Sequence, residues 1–547
     1  MSGEALFDLS TVFATVAAAV PDQEVLVWRD RRLTYAAMDR RITGLAHHFA
    51  GLGLGLHTDR ADLAGHESGQ DHVGLYLRNG NEYPEAMLAS YRARAVGFNV
   101  NYAYVDEELV YLLQDARARA LVYHAEFAPR VAAIRDRVPT LEHLVQVADE
   151  SGNPLLPGAV DYEEAVRAPA VRLPEPSGED AFLLYTGGTT GMPKGVLWRQ
   201  HDVYVAAMGG RPFGSPDPYT SYDEIARAAR DAHGGLRLLM TAPFMHGAAQ
   251  WSAFHMVSTG GRIVLPGNVR SMDAADWLRT VEREGVVSIP VVGDAMARPL
   301  VEEIERGDYD LSGLAAVSNG GAPISPGVRH RLLEALPHLL ILDAVGSSET
   351  GIQMNHYSAA GSEAEVAVFS PEADTTVVDD RRARVLDQGE GWLARRGLVP
   401  LGYLGDAEKT ARTFPVIDGV RFSVPGDRAE LLPDGRIRLL GRDAVTINSG
   451  GEKIFAEEVE RALAAHPAVA DVVVAGRPSQ RWGSEVVAVV ALAPDAGDVA
   501  DEDLLAEAGR HIARYKLPKA IVRRSAIARS PSGKADYRWA RAQAEQG

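Results

Sequence analysis

Short apolar runs alternate with longer amphipathic stretches through the first 180 residues. Runs at 24–28, 73–77 and 120–123 predict strands, and the 3.6-residue periodicity at 35–51 and 82–94 predicts helices. The alternation resumes beyond residue 260: strands are expected at 262–265, 286–290, 314–318 and 339–342, with helices at 274–284 and 326–336. Such βα alternation implies parallel sheets covered by helices. After about residue 365 the pattern shortens to strands and turns, including an Asp434-Gly435 hairpin signal. The final block reads helix 457–465, strand 469–475, strand 485–493 and helix 502–512, a compact α+β unit joined to the rest near 441–444. The expected class is α/β: a large N-terminal domain of layered parallel sheets with helices plus a small β-rich region, followed by a small α+β C-terminal domain.

Three stretches interrupt the alternation. Residues 55–70 are polar and irregular, as an inserted loop would be. Residues 209–235 are rich in Gly, Pro, Tyr and Asp, with a helix expected at 222–232; a lid or pocket wall and a solvated excursion both remain open. The third stretch, 185–196, reads YTGGTTGMPKGV between apolar runs at 181–184 and 196–198, before a helix-compatible 201–207. It predicts a strand, a glycine-rich loop, a strand and a helix. Its glycines permit close backbone approach to a ligand, its threonines and amides offer donors, and Lys194 adds a mobile positive charge. These are the requirements of a polyphosphate site. The common G-x-x-x-x-G-K-[ST] pattern does not fit, because Met192 and Pro193 separate Gly191 from Lys194 and Gly195 follows it.

The chain has 547 residues, enough for several folding units, with a soluble-globular balance of 46% hydrophobic and 24% charged residues. A formal charge of −18 argues against nucleic-acid binding. No cysteine is present, which removes disulfides, thiolate metal sites and a cysteine nucleophile. No apolar run suits a membrane span, and the acidic start MSGEALFDLS is unlike a secretory leader, so a cytoplasmic location is expected. The partners expected are small molecules, with a homodimer left open.

The order T-G-G-T-T-G-x-P-K-G resembles the signature loop of the adenylate-forming superfamily, which holds acyl- and aryl-CoA synthetases, peptide-synthetase adenylation domains and firefly luciferase. Within it the chain looks closest to actinobacterial-type CoA ligases of steroid side-chain acids, on LLYTGGTTGMPKGVLWR, HGAAQW, GDAMARPL, GSSETG and INSGGEKIFAEEVE. The resemblance spans nearly the whole chain. It implies that Thr186, Gly187, Gly188, Thr189, Thr190, Gly191 and Lys194 cradle ATP phosphates, and that Gly320, Gly321 and Ala322 (in GGAP) border the nucleotide. Gly346, Ser347, Ser348 and Glu349 match the family's G-x-T-E element, with Ser for Thr; Glu349 would hold Mg²⁺. Val345 stands where relatives often carry an aromatic near the adenine. Asp427, in PGD, would clamp the ribose with Arg442, and Lys534, in SPSGK, would reach the reacting carboxylate and α-phosphate.

The same resemblance implies domains at 1–441 and 445–547, the latter mobile, with a hinge at 442–444 where Ala444 replaces the usual charged residue. Lys453 would meet ATP, and Gly450 and Gly451 would border the CoA tunnel. In PFMHG, Met245 and His246 occupy the region where amino-acid-activating relatives place an aspartate, which disfavours a free amino acid. His246 then borders the acyl site, with Trp198, Phe244, Trp251 and Met296 as further lining candidates. The expected enzyme is an ATP-dependent acid:CoA ligase, AMP-forming, acting on a bulky steroid or terpenoid acid, with Lys534, Lys194, Glu349 and His246 in its chemistry. Loading of a carrier protein, and a fatty or aryl acid as substrate, are the alternatives.

Overall fold

A computed structural model describes residues 6–186, 192–212, 214–362, 367–442, 445–449, 452–479, 483–494, 496–497, 499–512, 514–529 and 533–546, without the side chains of Arg442, Asn448, Glu452 and Lys453. Among the described residues the chain forms sheets of 15, 8 and 5 strands.

The 8-stranded sheet carries the glycine-rich stretch. It runs parallel from Ala181–Thr186 through Val96–Asn99, His72–Tyr76, Ala118–His124 and His143–Val147 to Ala159–Asp161. Every residue of His72–Tyr76 is buried, which explains why these strands read as unbroken apolar runs rather than alternating ones. At the other edge Lys194–Arg199 pairs antiparallel with Ala181–Thr186, so the glycine-rich stretch joins the arms of a hairpin. Gly402–Tyr403 then adds antiparallel to Lys194–Arg199 and closes that edge.

The 15-stranded sheet opens with Arg31–Thr34 antiparallel to Glu24–Trp28 and then runs parallel through Arg262–Leu265, Arg237–Leu239, Ser288–Val291, Ala316–Gly320 and Leu340–Ser347. From Gly351–Ser358 onward it turns antiparallel. The β-rich region expected after residue 365 is therefore continuous with this sheet, joined through Val368–Pro371, which pairs with Gly351–Ser358 on one side and Ile437–Arg442 on the other. The Asp434-Gly435 turn does link two antiparallel strands, Asp427–Leu431 and Ile437–Arg442.

The C-terminal unit packs Val469–Ser479 against Gly483–Leu492, with Ala520–Arg523 running parallel to the latter and helices Ala456–Ala464, Asp501–Ala508 and Tyr537–Gln546 around them. The 209–235 stretch holds the helix Tyr222–Asp231, capped by Ser221. Its Ile225 and Ala229 are buried, and the Tyr222 ring meets Phe7 edge-on at 5.1 Å. The helix is anchored on the N-terminal segment by this packing and by the Tyr222 hydroxyl, which accepts from Asp8 N at 3.3 Å and donates to Asp8 Oδ2 at 3.2 Å.

Candidate functional site

Thr186 and Lys194 are the last paired residues of the arms of the glycine-rich hairpin. Gly187, Gly188, Thr189, Thr190 and Gly191 lie outside the described residues. Lys194 Nζ pairs with Asp406 Oδ2 at 2.9 Å, and this ammonium is the first cause holding the Asp406 carboxyl below the usual carboxylate range. Asp406 also caps the helix Ala407–Thr413 by accepting from the Lys409 amide at 2.9 Å. The irregular 55–70 stretch supports this edge: the Gly405 amide donates to His66 O at 2.8 Å, and a Cβ on Gly65 would sit 2.5 Å from Leu401 O.

Glu349 stands between the antiparallel strands Leu340–Ser347 and Gly351–Ser358. Its Oε1 accepts from the Tyr403 hydroxyl at 2.8 Å, and its carbonyl accepts from Ser423 Oγ at 2.6 Å. Burial, then the adjacent carboxylate, raises the Tyr403 phenol far above its ordinary range, so it stays a donor. Lys409 Nζ lies 3.7 Å from the Tyr403 ring centroid, and burial lowers its pKa. Lys194, Asp406, Tyr403, Lys409 and Glu349 thus form one charged cluster, assembled by the Gly402–Tyr403 strand. A Cβ on Gly346 would lie 2.3 Å from Gly351 O, a backbone atom that cannot move aside, so the turn bearing Glu349 requires glycine there.

Several residues that sequence patterns had not singled out hold these segments together. Arg395 is almost fully buried, and its Nη1 donates to Thr350 O at 3.0 Å and Ile352 O at 2.6 Å, gripping the chain just after Glu349. Burial drives its pKa down to about 10. Asn99, ending a parallel strand, donates to Tyr185 O and Met245 O at 2.8 and 2.7 Å and accepts from Tyr185 N at 2.7 Å. Asn79 likewise accepts from Phe244 N at 2.7 Å and donates to Ala242 O at 3.0 Å. Asn319 accepts from Gly293 N and donates to Asp343 Oδ1, at 2.8 and 2.7 Å. The available signal was a polar amide at or just past the C-terminal end of an apolar strand, where parallel sheets place their ligand sites.

The acyl-site candidates divide. Phe244 is buried against Tyr83, with ring centroids 5.3 Å apart. His246 precedes the helix Gly247–Ser258, which carries Trp251. Among the described residues neither His246 Nε2 nor Trp251 Nε1, both buried, has a hydrogen-bond partner, a cost that a polar ligand group would relieve. Met296 packs against the cluster around Ile289 and Leu300. Trp198 is wholly buried and donates from Nε1 to Ser348 O at 2.9 Å, which makes it a brace beneath the Glu349 turn; the expectation that it lines the acyl site is not carried by this geometry.

Gly321 has φ +82°, and a Cβ there would lie 3.5 Å from Lys534 Cε. The C-terminal unit thus brings Lys534 to the end of the Ala316–Gly320 strand, beside Ala322. Burial first, and then the Lys534 ammonium, push the His246 pKa down to about 4. Asp427 and Arg442 pair in register across the antiparallel strands that they terminate. The Lys453 side chain, Ala444, Gly450 and Gly451 lie outside what the structure describes.

The depressed His246 predicts an acid-dependent loss of stability. Between about pH 6.5 and 4 the unfolded chain binds a proton at this position that the folded chain does not, so stability falls as pH drops through that window. The contribution approaches about 3 kcal/mol at the acid end. Thermal melts from pH 7 to 4 are expected to fall less steeply for His246→Gln than for the parent protein.

The βα sheets and the C-terminal unit just described are those of an AMP-binding enzyme. The chain belongs to the AMP-binding enzyme family: the family's main model matches residues 13–404 and its C-terminal domain model residues 458–534. It is 56% identical to the medium-chain acyl-CoA ligase Mig of Mycobacterium avium, over 99% of each chain. It is 37% identical to the 3-oxocholest-4-en-26-oate:CoA ligase of Rhodococcus rhodochrous, over 96% of this chain and 93% of that one. In fold it matches the crystal structure of an anthranilate CoA ligase in complex with anthranoyl-AMP, with a TM-score of 0.81 at 21% identity over 99% and 98% of the two chains. No helix among the described residues is long and apolar enough to cross a membrane.

Proposed function

We propose that this AMP-binding enzyme is an ATP-dependent carboxylic acid:CoA ligase that works in two steps within one site. A carboxylate oxygen attacks the α-phosphorus of ATP, the bond to the bridging oxygen breaks, and pyrophosphate leaves acyl-AMP. The CoA thiolate then attacks the acyl carbon, giving the thioester and AMP. The observation that carries the reading is the approach of Lys534 to Gly321 and His246, which sets a cation from the C-terminal unit at the nucleotide-bordering strand end. There it offsets repulsion between the acid and the polyphosphate and stabilises the charge developing at phosphorus.

Lys194 lies at the root of the hairpin and serves the phosphates, exchanging Asp406 for them when ATP enters. Asp427 and Arg442 are assigned to the ribose, and the glycines and threonines of 186–191 to the phosphates. Gly320, Gly321 and Ala322 border the nucleotide, and Gly346, Ser347 and Ser348 line its other side. Lys453 meets ATP, and Gly450 and Gly451 border the pantetheine arm of CoA. The working division is a main domain at 1–441, a hinge at 442–444 and a mobile domain at 445–547. Among the described residues no group of three or more His, Cys, Asp or Glu could hold a metal. A single carboxylate, Glu349, suits an ion shared mainly with substrate phosphates, as Mg²⁺ usually is. Bound there, Mg²⁺ would neutralise phosphate charge.

The acid proposed is a bulky alicyclic one of the steroid side-chain type, activated in the region of Phe244, His246 and Trp251. The 37% identical steroid-acid ligase supports it. A second reading, a medium-chain fatty acid, is favoured by the 56% identical relative. Acid-dependent pyrophosphate release, with and without CoA, across medium-chain, aryl, steroid and diterpenoid acids tests both. A steroid or diterpenoid thioester is the expected product; turnover confined to medium-chain acids selects the second reading. Adenylate that accumulates and ignores CoA would reassign the enzyme to carrier-protein loading.

A further inference from the structure

Lys534 is a long, flexible side chain on a short connection, yet its chemistry demands a fixed position. What fixes it is visible in the C-terminal unit. Arg529 directs all three of its terminal nitrogens inward: Nε donates to Asp471 Oδ2 at 2.8 Å, Nη2 donates to Asp471 Oδ1, and Nη1 donates to Gly533 O at 3.1 Å. That carbonyl belongs to the peptide that leads directly into Lys534. Arg529 also bridges Ala535 through its backbone, so the chain on both sides of Lys534 is tied to one residue. The Asp471 hydrogen bond is the first cause raising the Arg529 pKa, consistent with a persistent, bidentate pair.

The outer face of the same connection touches the large domain. Gly533 has φ +77°, and a Cβ on it would lie 3.2 Å from Val292 Cγ1. Val292 heads the helix Gly293–Arg306. From that helix Arg298, paired with Asp294 at 2.8 Å, donates to Ala470 O at 3.2 Å, next to Asp471 in sequence. Asp471 therefore sits where the docked surface of the C-terminal unit meets the arginine that holds the lysine connection.

We propose that Arg529 and Asp471 are positioning residues for adenylate formation, acting solely through Lys534. Asp471 orients the Arg529 guanidinium, and Arg529 holds the Gly533 carbonyl so that Lys534 projects to Gly321. Neither touches a reacting atom. The inference rests on the assignment of Lys534 to the first half-reaction. A misplacement of about 1 Å at such a group can cost about 100-fold in rate.

The test measures the half-reactions separately in Arg529→Gln, Asp471→Asn, Lys534→Ala and the Lys534→Ala/Arg529→Gln double variant. Acid-dependent pyrophosphate release is expected to fall by roughly 10- to 100-fold in Arg529→Gln, while CoA thioester formation from supplied acyl-AMP stays unchanged. Asp471→Asn, which keeps the side-chain volume, should show the same split to a smaller extent. The double variant should be no slower than Lys534→Ala alone, because a residue that acts through the lysine has nothing left to act on. Equal loss of both half-reactions in Arg529→Gln, or a loss that multiplies with that of Lys534→Ala, overturns the proposal. So does Arg529→Gln with normal pyrophosphate release when Lys534→Ala is impaired. Unimpaired Lys534→Ala would instead remove the lysine assignment itself.

Discussion

Lys534→Ala is expected to cut acid-dependent pyrophosphate release by roughly 10²- to 10³-fold and to leave thioester formation from supplied acyl-AMP intact. The asymmetry follows from charge. In the first half-reaction an anionic carboxylate must approach a polyanion, and a nearby ammonium lowers that barrier by Coulomb attraction in a partly water-excluded site. In the second the electrophile is a neutral carbonyl, already activated as a mixed anhydride. The stem of Lys534 lies close to Gly321, so packing has to be separated from charge. Lys534→Met keeps the aliphatic stem and should be as slow as Lys534→Ala. A second readout is independent of turnover. His246 is depressed by burial and then by Lys534, so removing the ammonium should let the imidazole titrate at higher pH. Equal damage to both half-reactions would count against the assignment.

The strength of the sequence reading varied with the origin of each signal. The expected bounds for Glu24–Trp28, Tyr35–Gly51, Arg262–Leu265 and Ala274–Glu284 match the structure residue for residue. Each has a local cause: an apolar run ending at a turn, or an amphipathic stretch followed by a left-handed glycine, Gly53 or Gly285. Two of the helices left unread, Gly247–Ser258 and Gly293–Arg306, open on glycine, and the second contains Pro299. Tertiary packing overrides those breakers. Leu340–Ser347 runs five residues past the expected end because its antiparallel partner, Gly351–Ser358, extends it, a contact no local pattern encodes.

The site shows the same division. Lys194, Glu349 and Lys534 could be singled out because they stand in short motifs that resemble those of a known family. Their supports could not. Tyr403, Arg395 and Asn99 are distant in sequence from what they hold, and each became visible only when the fold closed those separations. Trp198 shows how a contact adds to a sequence reading. The resemblance made it a candidate lining residue of the acyl site; the structure adds that its indole N–H donates to Ser348 O beneath the carboxylate turn.

That turn yields the second large effect. Glu349→Gln keeps the side-chain shape and an oxygen able to accept from Tyr403, so thermal stability should change little. It removes the negative charge that the proposed function assigns to a phosphate-bound cation. Pyrophosphate release is expected to drop by roughly 10²-fold, with the half-saturating Mg²⁺ concentration raised. Tyr403→Phe separates orientation from charge: the carboxylate remains, but the 2.8 Å donor that aims it is lost. Its effect should be smaller, about 10-fold, and should be felt in the Mg²⁺ titration before the maximal rate. The ordering of the two variants carries the argument. Were Tyr403→Phe the more damaging, or were Glu349→Gln to melt early while keeping its Mg²⁺ dependence, Glu349 would be an anchor for the Gly402–Tyr403 strand, and the cation would have to be held elsewhere.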